Sequence, residues 1–163
     1  MSLTLPAPPL SPMEEESNRL YPARPYLAVS LAVFRAGRVL IARRGRAPYF
    51  GAFSLPGGVV ETGETLEAAA LRELREEVAV EARIVGFNQW VESIKRDAAG
   101  RIRQHYVIAS FIGYWVSGEA RPGPEASEIL WVLPAELNSL EVTPGLARVV
   151  QSAETFLRQA RSR

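Results

Sequence analysis

The chain has 163 residues and a formal net charge of +1, with 47% apolar and 23% charged residues, which describes one globular domain rather than a disordered chain. A charge so close to zero supplies no bulk field for polymeric nucleic acid or an anionic membrane, so an anionic substrate has to be held by local groups. The absence of Cys and the single histidine, His105, exclude thiolate nucleophiles, disulfides, Cys-based zinc and His-rich metal sites, leaving oxygen ligands and hard cations such as Mg²⁺ or Mn²⁺.

The first 20 residues are Pro-rich and then acidic, without the basic and continuous apolar regions of a secretory signal, and no apolar run reaches membrane-spanning length. A cytoplasmic protein is the default expectation. Residues 1–20 are expected to be a tail with a short helix near 12–20, because Ser11, Pro12 and Glu14 spell a capping box. A single domain is then expected over 21–163. The runs YLAVSLAVFR (26–35) and RVLIARR (38–44) are β-rich and joined by Ala36–Gly37, a hairpin signal. A loop with three aromatics, Tyr49, Phe50 and Phe53, leads to SLPGGVVE, and Thr65 to Val78 reads as a helix capped by Thr62 or Thr65.

Two long strands follow around the turn at 97–100, then a flexible loop at 117–127, a short strand at 128–133 and one helical turn at PAEL. The closing helix is expected to take Thr143 as its cap and Pro144 as its first residue. Leu146, Val149, Val150, Ala153 and Leu157 would form its buried stripe. This order of strands, helix, strands and helix predicts an α+β fold, a mixed β-sheet between helices.

The chemistry concentrates between Gly57 and Val80. Gly57 and Gly58 permit a tight turn and a close approach to a ligand. At about 100° per residue, Ala70, Leu71, Leu74 and Val78 share one helix side, while Glu73, Glu76 and Glu77 share a neighbouring arc. Carboxylates three and four apart repel by a few tenths of a kcal/mol per pair. A sequence selected only for a stable helix would place a lysine among them. The cluster therefore reads as a divalent-metal platform on which a diphosphate could be held through bridging ions.

These residues resemble the signature of the Nudix hydrolases: a glycine, five residues, a glutamate, seven residues, Arg-Glu-aliphatic, one residue, Glu-Glu, one residue, and Gly-aliphatic. Gly58, Glu64, Arg72, Glu73, Leu74, Glu76, Glu77 and Val80 match it in type and spacing. The one departure is Ala79, where the family has a glycine that ends the helix in a left-handed conformation; a different helix exit is expected here. The resemblance extends more loosely from Tyr26 to Leu157 and implies a Nudix α/β/α sandwich.

It also implies roles. Glu73, Glu76 and Glu77 would be catalytic metal ligands for Mg²⁺, with Mn²⁺ accepted, and one of them could also orient or deprotonate the water. Glu64 and Arg72 would form a structural ion pair, and Gly58 would shape the phosphate site. Arg44 best matches the arginine that the family places on substrate phosphate or base, with a plain surface pair, Arg43 and Arg44, as the bland alternative. The general base would lie on a later loop, where Glu128 is favoured over Glu125 and Glu119.

The expected reaction is Mg²⁺-dependent water attack on a nucleoside diphosphate linked to another moiety, with ADP-ribose or a nucleotide sugar ranked first. A modified nucleoside triphosphate of the 8-oxo-dGTP type is the second enzymatic expectation, and a non-catalytic nucleotide-sensing domain the third. The implied partners are a small-molecule nucleotide and a second copy in a homodimer, with no polymeric nucleic acid and no membrane. Tyr49, Phe50 and Phe53 fit core packing or loop anchoring better than base stacking. Trp90 and Trp131 fit core or interface positions, and His105 an ordinary strand position.

Overall fold

The computed structural model describes residues 11, 14 and 17–162. The tail expected at residues 1–10 lies outside the described residues, as do 12, 13, 15 and 16 of the short helix. The expected capping pair is nonetheless visible: the Ser11 N–H donates to Glu14 Oε2 at 2.9 Å, and the Asn18 N–H donates to the Glu14 carbonyl at 2.9 Å.

Seven strands form one mixed sheet: β1 (Tyr26–Arg35), β2 (Arg38–Arg44), β3 (Phe53–Ser54), β4 (Gly57–Val59), β5 (Glu81–Arg96), β6 (Ile102–Ser117) and β7 (Ala126–Val132). Among the described residues, helices α1 (Leu66–Val78) and α2 (Leu146–Arg161) flank it, and a 3₁₀ segment spans Pro134–Ser139. The main path runs β3-β2-β1-β6-β5, with β4 also on β1 and β7 also on β2.

Strands β1 and β2 form the expected hairpin. Ala36 (φ 50°) and Gly37 (φ 76°) both take positive φ, which matches the right-handed twist of the strands. β1 then runs parallel to β6, from Tyr26 opposite Tyr106 to Phe34 opposite Tyr114.

Side-chain alternation along β1 sorts the core into two layers. Val29, Leu31 and Val33 meet Ala69, Ala70, Leu74 and Val78 of α1, while Ala32 and Phe34 face Val149, Val150, Ala153 and Leu157 of α2. The result is the expected α/β/α sandwich. Truncating a fully buried residue such as Leu74 to Ala costs about 2–5 kcal/mol in sites of this kind.

Three details differ from expectation. Helix α2 starts at Leu146 with Gly145 (φ 82°) as its cap, not Thr143. Thr143 is committed elsewhere: its N–H donates to the Phe53 carbonyl at 2.9 Å, and the Phe53 N–H donates to Glu141, so residues 141–143 extend the sheet beside β3.

Ala79 keeps the left-handed conformation of the family glycine, at φ 57° and ψ 33°, so the helix exit is unchanged despite the side chain. The loop expected to be flexible at 117–127 is docked on that same exit, with the Arg121 N–H on the Val78 carbonyl and the Gly123 N–H on the Glu77 carbonyl. These bonds satisfy carbonyls that a helix end leaves without intrahelical partners. They hold the left-handed residue in place.

Candidate active site

The glycine turn is shaped by contact rather than by dihedral freedom, since neither Gly57 nor Gly58 has positive φ. Strand β4 lies against β1, with Gly57 opposite Ser30 and Gly58 opposite Val29. A Cβ on Gly57 would fall on the Val29 carbonyl oxygen, and one on Gly58 would fall on the Glu73 carboxylate. Backbone and carboxylate approach so closely that only hydrogen fits between them. Thr65 caps α1, its Oγ1 accepting from the Ala68 N–H at 3.1 Å.

Arg72 organises the acidic arc. Its Nε and Nη2 donate to the two oxygens of Glu64 at 2.6 and 2.9 Å, a bidentate pair, and Nη2 also reaches the Val59 carbonyl at 3.2 Å. The same guanidinium uses Nη1 to bridge Glu73 at 2.8 Å and Glu76 at 3.2 Å. The hydrogen bonds from Arg72 hold Glu64 far below the usual carboxylate range, at about 2. Glu73 is pushed upward, because burial outweighs the help from Arg72.

Glu77 is the most perturbed carboxylate. Burial first, then the charges of Glu73 and Glu125, push its pKa up to about 8, against a 3.4 Å bond from the Gly57 N–H and the field of Arg44. Glu76 remains mostly exposed at the side chain.

A cavity of about 430 Å³ opens beside this cluster. Its lining includes Gly57, Gly58 and Glu77, Arg44, Arg46 and Tyr49, and Tyr106 and Ile108 of β6. The volume suits a small organic ligand.

Of the two glutamates weighed most closely for the base, Glu125 lines this cavity, and its charge reaches Glu73 and Glu77. Glu128, the favoured one, stands opposite Arg43 in the β2–β7 register and is held by Arg43 Nε at 2.8 Å. β7 begins at Ala126, two residues earlier than predicted, so Glu128 lies within the ladder and Glu125 in the loop before it. Glu119 is exposed.

Arg44 lines the cavity with its Nε on the Pro48 carbonyl at 2.7 Å. Phe53 is buried in the core, as expected, whereas Phe50 is exposed. Tyr49 is the aromatic of this loop on the cavity, and one face of its ring is covered by the Lys95 ammonium, 3.3 Å from the centroid. Trp131 packs on the α1 side of the core. Trp90 is exposed on β5 beside Phe87. His105 sits in β6 opposite Ile94, off the cavity lining.

Arg46 and Lys95 were missed by sequence reasoning. Each is an ordinary basic residue in its own segment, and only tertiary folding brings Arg46 to the cavity and Lys95 over the ring of Tyr49, which lines it.

The donor set fits a hard divalent cation: buried and half-buried carboxylate oxygens, crowded enough that one of them resists ionisation. Among the described residues no three carboxylates already converge on a single point; the Arg72 guanidinium bridges Glu73 and Glu76 instead.

The NUDIX domain family model matches residues 24–153. The chain is 34% identical over 129 residues to an ADP-ribose pyrophosphatase of Methanocaldococcus jannaschii, covering 79% of this chain and 70% of that protein. It is 35% identical over 123 residues to an RNA pyrophosphohydrolase of Erythrobacter litoralis, covering 66% of this chain and 75% of that protein. Its fold superimposes on a MutT NUDIX hydrolase from Burkholderia pseudomallei with a TM-score of 0.70 at 27% identity, covering 79% of this chain and 98% of the other. With the glycine turn and the acidic helix in place, these matches make the chain a member of the Nudix hydrolase family, an enzyme acting on pyrophosphate bonds.

Proposed function

We propose that the protein is a Mg²⁺-dependent diphosphatase that cleaves ADP-ribose or a related nucleoside diphosphate sugar. The observation that carries this reading is the meeting of Glu77, Glu125, Arg44 and Arg46 on one cavity of nucleotide-compatible size. The similarity to an ADP-ribose pyrophosphatase supports the choice of substrate.

The family uses divalent metal ions, and here Glu73, Glu76 and Glu77 are the residues that would hold them, with Mn²⁺ able to replace Mg²⁺. When bound, the ions acidify the attacking water and neutralise charge on the leaving phosphate. The chain's own groups supply the rest. Glu125 accepts the proton of the water that attacks phosphorus, the bridging P–O bond breaks, and a nucleoside monophosphate leaves together with the second phosphorylated product. Arg44, on the same cavity, would face the substrate's anionic groups, while Gly57 and Gly58 let the backbone approach. The pair Glu64–Arg72 keeps the loop before α1 against the helix.

Release of phosphate from coupled phosphatase digestion, run with Mg²⁺ over ADP-ribose, nucleotide sugars, 8-oxo-dGTP and 5′-triphosphorylated RNA, tests the assignment. ADP-ribose well above the others supports it, 8-oxo-dGTP on top replaces it with the triphosphate reading, and RNA on top replaces it with a polymeric substrate. A flat panel beside clear Mg²⁺ binding would favour nucleotide sensing. The base is tested separately: Glu125→Gln should lower kcat far more than Glu128→Gln, with KM little changed. The assignment includes a homodimer in the cytoplasm, and sedimentation at several concentrations checks the assembly.

A further inference from the structure

Glu125 is held far more tightly than a residue in a polar surface loop needs to be. Its carboxylate accepts from Arg46 Nη2 at 2.6 Å, and its carbonyl accepts from the Gly45 N–H at 3.0 Å, so two consecutive residues grip both its ends. Two residues earlier, the Gly123 N–H donates to the Glu77 carbonyl at 2.7 Å, and the Gly123 carbonyl accepts from the Ala126 N–H at 3.3 Å.

The fit at Gly123 has no slack. A Cβ there would fall on the Glu76 carbonyl oxygen and come within 2.9 Å of the Glu77 carbonyl oxygen. Gly45 is also close-fitting, because its Cβ would lie 3.2 Å from the Glu125 carbonyl oxygen. The loop is therefore pinned on one side to the helical turn that carries Glu76 and Glu77, and on the other to the residues that follow β2.

We propose that Arg46 and Gly123 form a clamp that positions Glu125 against the acidic turn of α1, so that Arg46 is a positioning residue for the hydrolytic step. The proposal rests on the reading of Glu125 as the base. An isolated, half-exposed ion pair contributes little to stability. Its use here is geometric: general-base catalysis needs the carboxylate within hydrogen-bond reach of the attacking water, and a glutamate on a free loop would sample that position only part of the time. The clamp also couples the two halves of the site. Any shift of the Glu76–Glu77 turn moves the Gly123 amide, and with it the loop that carries Glu125.

The test is a double-mutant cycle with ADP-ribose and Mg²⁺, or with 8-oxo-dGTP where ADP-ribose is not hydrolysed. Arg46→Ala is expected to lower kcat by about tenfold with KM within about twofold, and Arg46→Lys, which keeps one donor, to recover part of the loss. Added to Glu125→Gln, Arg46→Ala should cost less than about a further twofold, because its effect runs through the missing carboxylate.

A full independent loss in that background, or a loss confined to KM, would mean that Arg46 acts on substrate directly and would overturn the clamp. Gly123→Ala should reproduce the kcat loss of Arg46→Ala, and a Gly123→Ala protein that folds and turns over normally would also overturn it. Full activity of Glu125→Gln is a different result: it removes the base assignment on which the clamp depends. Activity lost in Glu125→Gln but intact in Arg46→Ala removes the clamp alone.

Discussion

Arg72 binds Glu64 through two bonds, 2.6 and 2.9 Å, while the third nitrogen of the same guanidinium reaches Glu73. One side chain thus ties the loop before α1 to the first carboxylate of the acidic arc. The arrangement needs a planar fork of donors, which lysine does not have.

Glu64→Gln should consequently lower both melting temperature and kcat, through a looser loop and a less restrained Arg72. The pH dependence follows from sign. Glu64 is held at about 2 in the folded protein and is near 4.5 in its ordinary state, so its contribution is present above about 4.5 and is lost as pH falls toward 2. Acid titration of stability in wild type and Glu64→Gln measures this, and identical acid limbs would count against the pair.

Glu77 carries the opposite sign. Its folded pKa of about 8 lies above the ordinary 4.5, so in the metal-free protein its contribution to stability is fully present below about 4.5 and is lost as pH rises through 8. Mg²⁺ should flatten this decline by supplying the missing positive charge. Glu77→Gln should remove the decline without metal and should also abolish turnover. Thermal melts from pH 5 to 9, with and without Mg²⁺, read both effects; a variant with normal turnover would exclude Glu77 as a ligand.

The two glycines of the turn should fail differently. Gly58→Ala pushes on a movable carboxylate, Glu73, and should weaken Mg²⁺ affinity and activity by about tenfold or more with modest loss of stability. Gly57→Ala pushes on the β1 backbone at Val29 and should mainly lower the melting temperature. Equal effects of the two substitutions on Mg²⁺ titration would contradict the assigned contacts.

Ala79→Gly should stabilise the protein by about 1 kcal/mol, since a left-handed alanine bears a steric cost that glycine avoids. For a domain of this size that corresponds to a rise of about 2–4 °C in melting temperature, with kcat unchanged. An unchanged or lower melting temperature would show that the docked loop relieves the strain by itself.

Much of the fold was legible in residue order because it depends on local period. Strands β1 and β2 were predicted at their observed bounds, and the buried stripe of α2 from Leu146 to Leu157 follows the helical repeat. The acidic arc was legible for the same reason: glutamates at i, i+3 and i+4 of one helix share a face, whatever surrounds them.

Contacts between distant segments decided the remainder. Thr143 spells a helix cap, yet the Phe53 carbonyl draws it into the sheet. Ala79 argues for an altered helix exit, yet the loop at 121–123 bonds the free carbonyls and keeps the left-handed turn. The ranking of Glu128 over Glu125 turned on where β7 joins the ladder beside β2, a register that no local pattern contains. Arg46 was invisible until that register brought it within 2.6 Å of Glu125. The sequence by itself determined the sandwich and the carboxylates of α1, because backbone geometry repeats over a few residues; the tertiary structure alone brought Glu125 to the cavity beside them, because its contact with Arg46 joins residues 79 apart in the chain.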